Sequence, residues 1–187
     1  ETYDKALKVA ALDVARYGDD SSVFAVRQGN KVLDIVEWGH KDSTYTQGRA
    51  ARLIKEHKPI RTYVDVVGLG AGIYDNLKKE IGGEHKLMEF DSGKPALDTE
   101  RYLNRRAEGY WEFNQKLADK ELELPNNIKL KAQLADIRYT YNTKGLLQIE
   151  SKEEAKARGS KSPDIADAVM MTFGKKKGGS APPVWRY

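Results

Sequence analysis

The chain has 187 residues, no Cys, and 32 Lys+Arg against 28 Asp+Glu, a net charge of +4. That length suits one domain with a real core, and the lack of cysteine excludes disulfides and thiolate metal sites. Mean hydropathy is -0.68, and no apolar run approaches the ~18 residues of a membrane span.

The opening residues 1–8 are polar and lack the apolar core of a signal peptide. Residues 8–15 (KVAALDVA) then form a short apolar run with one acid inside it. Residues 22–28 and 31–38 are β-rich and meet at Gly29-Asn30, which predicts a hairpin. Residues 46–58 have helical spacing, with Ala50, Leu53 and Ile54 on one stripe, and Pro59 stops them. Residues 61–67 (RTYVDVV) read as a buried strand, 73–81 as a helix, and 86–90 as a fifth strand.

A long helix is predicted over 99–120, with Tyr102, Arg106, Tyr110, Phe113 and Leu117 along one side. Residues 137–150 (IRYTYNTKGLLQIE) predict a second hairpin turning at 142–145. Residues 151–161 are highly charged and fit an exposed loop or short helix. A last helix runs to about 173, with Ser162 as N-cap and Pro163 at the first helical position. Residues 174–187 (GKKKGGSAPPVWRY) read as a flexible basic tail. The order β-β-β-α-β-α-β-α, then hairpin and helix, implies an α/β mixed sheet with helices on its faces.

The charge is unevenly distributed. Residues 1–143 carry 23 basic and 23 acidic side chains, and residues 144–187 carry 9 and 5, so the whole excess lies at the end. This permits a polyanionic partner and equally fits a solvated Lys-rich end.

The informative residues are acids where apolar ones are expected. Asp13 and Asp65 each sit inside a strand of buried type, where an unpaired carboxylate is costly. Each either caps a loop or meets an Arg, or else belongs to a charged site. Asp164 and Asp167 are spaced i, i+3 near a helix start and share a face. Asp164 there also suits the helix dipole, whereas Asp167 lies among core-type residues. If the Asp13 and Asp65 strands are neighbours, ~4.8 Å apart, their carboxylates can flank one or two divalent ions. Oxygen ligands suit Mg²⁺ or Mn²⁺. Zinc is disfavoured, because His40, His57 and His85 are scattered.

Gly68, Gly70 and Gly72 follow a strand and precede a helix, as in a dinucleotide-binding turn, with Glu89 and Asp91 about 20 residues on. Against this, Ile73 stands where the third glycine of that motif belongs, and the strand is the fourth in the chain. No P-loop motif occurs, which excludes a P-loop ATPase for this chain. Aromatic and basic residues interleave in 102–111 and 137–141. The rings read mostly as core, while Arg105, Arg106, Arg138 and Lys144 are candidates to face a phosphate backbone.

Four segments together, residues 12–22 (LDVARYGDDSS), 64–70 (VDVVGLG), 102–107 (YLNRRA) and 162–168 (SPDIADA), resemble the C-terminal nuclease domain of the tailed-phage terminase large subunit. The resemblance spans residues 8–173 or so. It implies an RNase H-like fold with a central five-stranded mixed sheet flanked by helices, plus an extra β-hairpin that gates or contacts DNA. It implies one nuclease domain over 1–173, with the first and fourth strands adjacent.

The family's acids carry over to Asp13, Asp65 and Asp167, with Asp164 as alternate or accessory ligand and Asp19 as a further acid beside a second metal. The implied activity is endonucleolytic cleavage of concatemeric double-stranded viral DNA with little sequence preference. The implied cofactor is Mg²⁺ or Mn²⁺, two ions in number. The implied partners are the packaging ATPase domain of the same subunit, which this chain lacks, the small terminase subunit and the portal, with no membrane. The implied location is the cytoplasm of the infected bacterium. A junction resolvase of the same fold and a non-catalytic docking module that uses residues 175–187 are the competing readings.

Overall fold

The computed structural model describes residues 6–15 and 21–174. Five strands form the central sheet among these residues: β1 (Lys8–Asp13), β2 (Ser21–Gln28), β3 (Lys31–Gly39), β4 (Arg61–Asp65) and β5 (Leu87–Phe90). Their order is β3-β2-β1-β4-β5. β1 and β2, and β2 and β3, are antiparallel; β1 and β4, and β4 and β5, are parallel. The described helices are α1 (Ser43–His57), α2 (Leu69–Ile81), α3 (Arg105–Ala118), α4 (Ile128–Asp136), α5 (Lys152–Ala157) and α6 (Asp164–Thr172). β6 (Tyr139–Tyr141) and β7 (Leu147–Ile149) pair antiparallel as the extra hairpin. The α/β mixed sheet is therefore as expected from the order of elements.

Alternation along the strands sorts the core into two layers. Ala10 and Leu12 of β1 pack with Phe24, Val26, Val64 and the inner stripes of α1 and α2. Val9 and Ala11 pack on the other side with Val23, Ala25 and Tyr63, against α3, α4 and α6. Asp13 and Asp65 continue the odd-numbered register, so both side chains belong to the α6 face.

α6 is buried at every position from Asp164 to Thr172, as befits a helix enclosed on all sides. Its last turn is closed by Arg27, whose Nε donates to the Thr172 carbonyl at 2.7 Å. The same guanidinium lies 4.6 Å over the Phe173 ring.

Several boundaries differ from expectation because side chains cap the backbone. α1 begins earlier than residue 46, because the Asp42 carboxylate accepts from Tyr45 N–H at 2.7 Å. The helix predicted from residue 99 starts only at Arg105, where Asn104 accepts from Ala107 N–H at 2.9 Å. Tyr102 instead bridges to Leu147 of the hairpin. Pro163 is the N-cap of α6 rather than its first residue, and the Ser162 hydroxyl donates to the Asp164 carboxylate instead of capping. α5 takes the short-helix option, closed by a Ser151/Glu154 capping box. α4 was not anticipated; its one fully buried position, Leu130, leaves little periodic signal. Asp19, and the predicted tail from residue 175 on, lie outside the described residues.

Candidate active site

β1 and β4 run parallel with Leu12 opposite Val64, and both strands end on the next residue, an aspartate. Asp13 and Asp65 thus emerge side by side at the C-terminal edge of the sheet, where open α/β sheets form their clefts. α6 crosses the same face and brings Asp164 and Asp167 in its first turn. Asp13, Asp164 and Asp167 are buried at 4%, 7% and 6% exposure.

The four acids differ in their partners. Asp167 is fully engaged: Tyr110 O–H donates to its Oδ1 at 2.6 Å, Arg106 Nε at 3.3 Å, and Lys152 Nζ lies 3.1 Å from its Oδ2. Asp164 accepts from Ser21 N–H at 2.9 Å and from Ser162 O–H, and so pins the start of β2 to α6. Asp65 accepts from Val67 N–H at 3.0 Å. Asp13 receives no hydrogen bond from any described residue.

Electrostatics follow from these partners. Burial pushes the Asp13 carboxyl well above its usual range; Lys152 opposes this, and Asp167, Asp65 and Asp164 reinforce it. Burial raises Asp65 to about 6, opposed by the Val67 N–H and reinforced by Asp167. Burial acts the same way on Asp167, but Arg106, Lys152 and Tyr110 outweigh it and hold that carboxyl low. Burial disfavours the Lys152 ammonium, but Asp13, Asp167 and Asp164 outweigh it and raise its pKa.

The donor set fits a hard divalent cation. It is all carboxylate, with no sulfur and no imidazole, and the Asp13 carboxylate is a buried charge lacking a donor among the described residues. Among those residues no three acids or histidines already stand as a formed metal-binding group. Instead Lys152 supplies the positive charge, lying against Asp164 at 3.8 Å as well as Asp167.

A groove of about 1250 Å³ opens at Asp164. Lys129, Arg138, Lys152, Lys161 and Arg106 line it together with Asp164 and the acids Glu37, Asp136 and Glu150. The base of the hairpin is fastened to it by Arg158, which donates to Glu150 Oε1 at 2.9 Å and to the Asp136 carbonyl at 2.8 Å. Of the four basic residues singled out from sequence, Arg138 and Lys144 are exposed on the hairpin. Arg105 and Arg106 turn inward: Arg105 pairs with Glu108 at 3.1 Å. Arg106 pairs with Asp167 and also donates to the Glu150 carbonyl at 2.8 Å, joining hairpin to acid.

The glycine-rich turn has a local purpose. Gly68 takes a positive φ of 71° at the exit of β4. Gly70 packs so tightly on the Asp65 backbone that a Cβ would strike its carbonyl oxygen. Asp91 turns its carboxylate onto Gly93 N–H at 3.1 Å. The glycines therefore bring α2 close behind Asp65.

Sequence reasoning missed Lys152, Tyr110 and Arg158. Lys152 lies in a stretch that reads as solvated charge, and Tyr110 on a face that reads as plain core.

The fold is that of nuclease domains from phage large terminase subunits. The nuclease domain of the large terminase subunit gp2 of bacterial virus Sf6 matches with a TM-score of 0.84 and 24% identity, over 92% of this chain and 90% of that chain. Its K428A mutant with manganese matches at 0.82 and 23%, with the same coverage. The large terminase nuclease from thermophilic phage G20c with bound magnesium matches at 0.69 and 13%, over 90% of this chain and 81% of that chain. No family model and no curated protein sequence matches this chain.

Proposed function

We propose that this chain is the nuclease domain of a tailed-phage terminase large subunit, a metal-dependent endonuclease that cuts concatemeric double-stranded DNA during genome packaging. The observation that carries the reading is the convergence of Asp13, Asp65 and Asp167 on one face at the C-terminal edge of β1 and β4, with Asp164 of the same helix lining a groove that also carries Lys129, Arg138, Lys152 and Lys161. The fold shared with phage terminase nucleases supports it, and so do the manganese and magnesium in two of those structures.

Asp13, Asp65 and Asp167 would hold Mg²⁺ or Mn²⁺, with Asp164 accessory and Asp19 a further candidate. Held there, two such ions would supply an activated water and charge stabilisation for the leaving 3′ oxygen. The chain's own residues do the rest. Tyr110 and Arg106 fix the Asp167 carboxylate in the ionised form. Lys129, Arg138 and Lys161 bind phosphates along the groove, and Lys144 extends that contact to the hairpin turn. Such contacts ignore base identity, which suits cleavage with little sequence preference.

In this reading the domain works beside a packaging ATPase domain, the small terminase subunit and the portal, in the cytoplasm of the infected bacterium. Plasmid nicking and linearisation tests it, with Mn²⁺, Mg²⁺ or EDTA. Wild type should cut only with metal, and Asp13→Asn, Asp65→Asn and Asp167→Asn should each lose cleavage. Robust cleavage by all three variants would overturn the assignment.

A further inference from the structure

The 137–141 segment reads from sequence as mostly core, yet Tyr139 and Tyr141 are 56% and 59% exposed. They are the most exposed Phe, Tyr or Trp side chains among the described residues. Both belong to β6 at positions i and i+2, so they share one face of the strand.

The rings form a row that continues onto α3. Trp111 meets Tyr139 at 5.4 Å and 76°, and Tyr139 meets Tyr141 at 6.3 Å and 87°. Trp111 is the anchored end, packed against the buried cluster of Ala96, Tyr102, Ala107 and Leu147. An edge-to-face contact covers one face of one of its two rings, so these two contacts occupy two of the six ring faces. Arg138 directly precedes the row and lines the groove that Asp164 also lines. Lys144 sits at the turn beyond Tyr141 and is exposed.

Exposed ring faces flanked by cations match nucleic acid better than an apolar protein surface. A duplex hides its base faces by stacking, whereas an unpaired base offers one. We propose that Trp111, Tyr139 and Tyr141 form a stacking platform for unpaired DNA bases. This gives the hairpin a second ligand class, single-stranded or frayed DNA, besides the duplex in the groove. The proposal rests on the DNA-cleaving reading: strands parted near the acids pass directly onto the hairpin. Each ring takes one base face, and Arg138 and Lys144 hold the phosphates between.

The test compares wild type with Tyr139→Ala/Tyr141→Ala and Tyr139→Phe/Tyr141→Phe by fluorescence anisotropy at one low salt concentration in EDTA. The probes are a fluorescein-labelled oligothymidylate of about 12 nucleotides, within the usual site size, and a blunt duplex of equal length. The double Ala variant should bind the oligothymidylate about fivefold or more weakly. Its duplex affinity and its plasmid cleavage should stay unchanged. The double Phe variant keeps the ring faces and should bind like wild type. Unchanged oligothymidylate affinity in the Ala variant, an equal loss on duplex, or an equal loss with Phe would each overturn the platform. Plasmid cleavage by wild type judges the nuclease reading separately. Circular dichroism should show the fold intact, because both tyrosines are exposed.

Discussion

Asp13→Asn should make the metal-free protein more stable while it abolishes cleavage. Asp13 is only 4% exposed, and burial together with Asp167, Asp65 and Asp164 outweighs the help it receives from Lys152. Its charge is therefore a net liability without metal. Asn keeps the shape and removes the charge. The relief of a poorly compensated buried charge is worth about 1–3 kcal/mol, and each kcal/mol moves the thermal midpoint by about 2–4 °C at this size. Metal reverses the order: Mn²⁺ at about 100 times its Kd stabilises a binding-competent native state by about 2.7 kcal/mol, and the variant forgoes this. Thermal unfolding in EDTA and in Mn²⁺ measures both effects. If Asp13→Asn is less stable than wild type in EDTA, or if Mn²⁺ stabilises both proteins equally, Asp13 is not an uncompensated charge awaiting a cation.

Three more outcomes follow from the same geometry. Asp65 has its carboxyl raised to about 6, above its unfolded value of about 3.9, so the native state binds more protons across that window. Metal-free stability should fall as pH rises from about 4 to 6, and Asp65→Asn should flatten that slope in urea titrations; an unaltered slope refutes it. Tyr110→Phe removes the 2.6 Å donor to Asp167 and should cost about 1.5–3 kcal/mol, as bonds to ionised groups do. A loss under about 0.5 kcal/mol in denaturation would show that Arg106 and Lys152 suffice. Gly70→Ala drives a Cβ into the Asp65 carbonyl and should destabilise by about 1–3 kcal/mol. Gly72→Ala, with nothing within 4 Å of its Cβ, should be neutral or stabilising by up to about 1 kcal/mol; equal effects at both sites would refute the close-approach argument.

Much of the fold was legible because its signals are local. Short apolar runs marked the sheet strands, Pro59 ended a helix, and the Gly29 turn announced β2–β3. Asp13 and Asp65 stood out because a carboxylate inside such a run breaks the hydrophobic pattern. Residues 102–104 looked helical because they extend the stripe of α3, but Asn104 captures the Ala107 N–H and starts the helix there. α4 escaped notice because it buries little of its own surface.

Neighbouring residues alone set the composition, the strand runs, the turns and the out-of-place acids. Tertiary structure decided which of those acids meet. β1 and β4 are brought together by a crossover of nearly fifty residues, with Val9 paired to Arg61, and α6 arrives from the far end of the chain. It also decided that Arg106 serves Asp167 rather than solvent, that Lys152 lies against Asp164 and Asp167, and that Tyr139 and Tyr141 stay exposed. A residue's charge and period can be read from its neighbours, but its partner across space is fixed only when distant strands and helices pack.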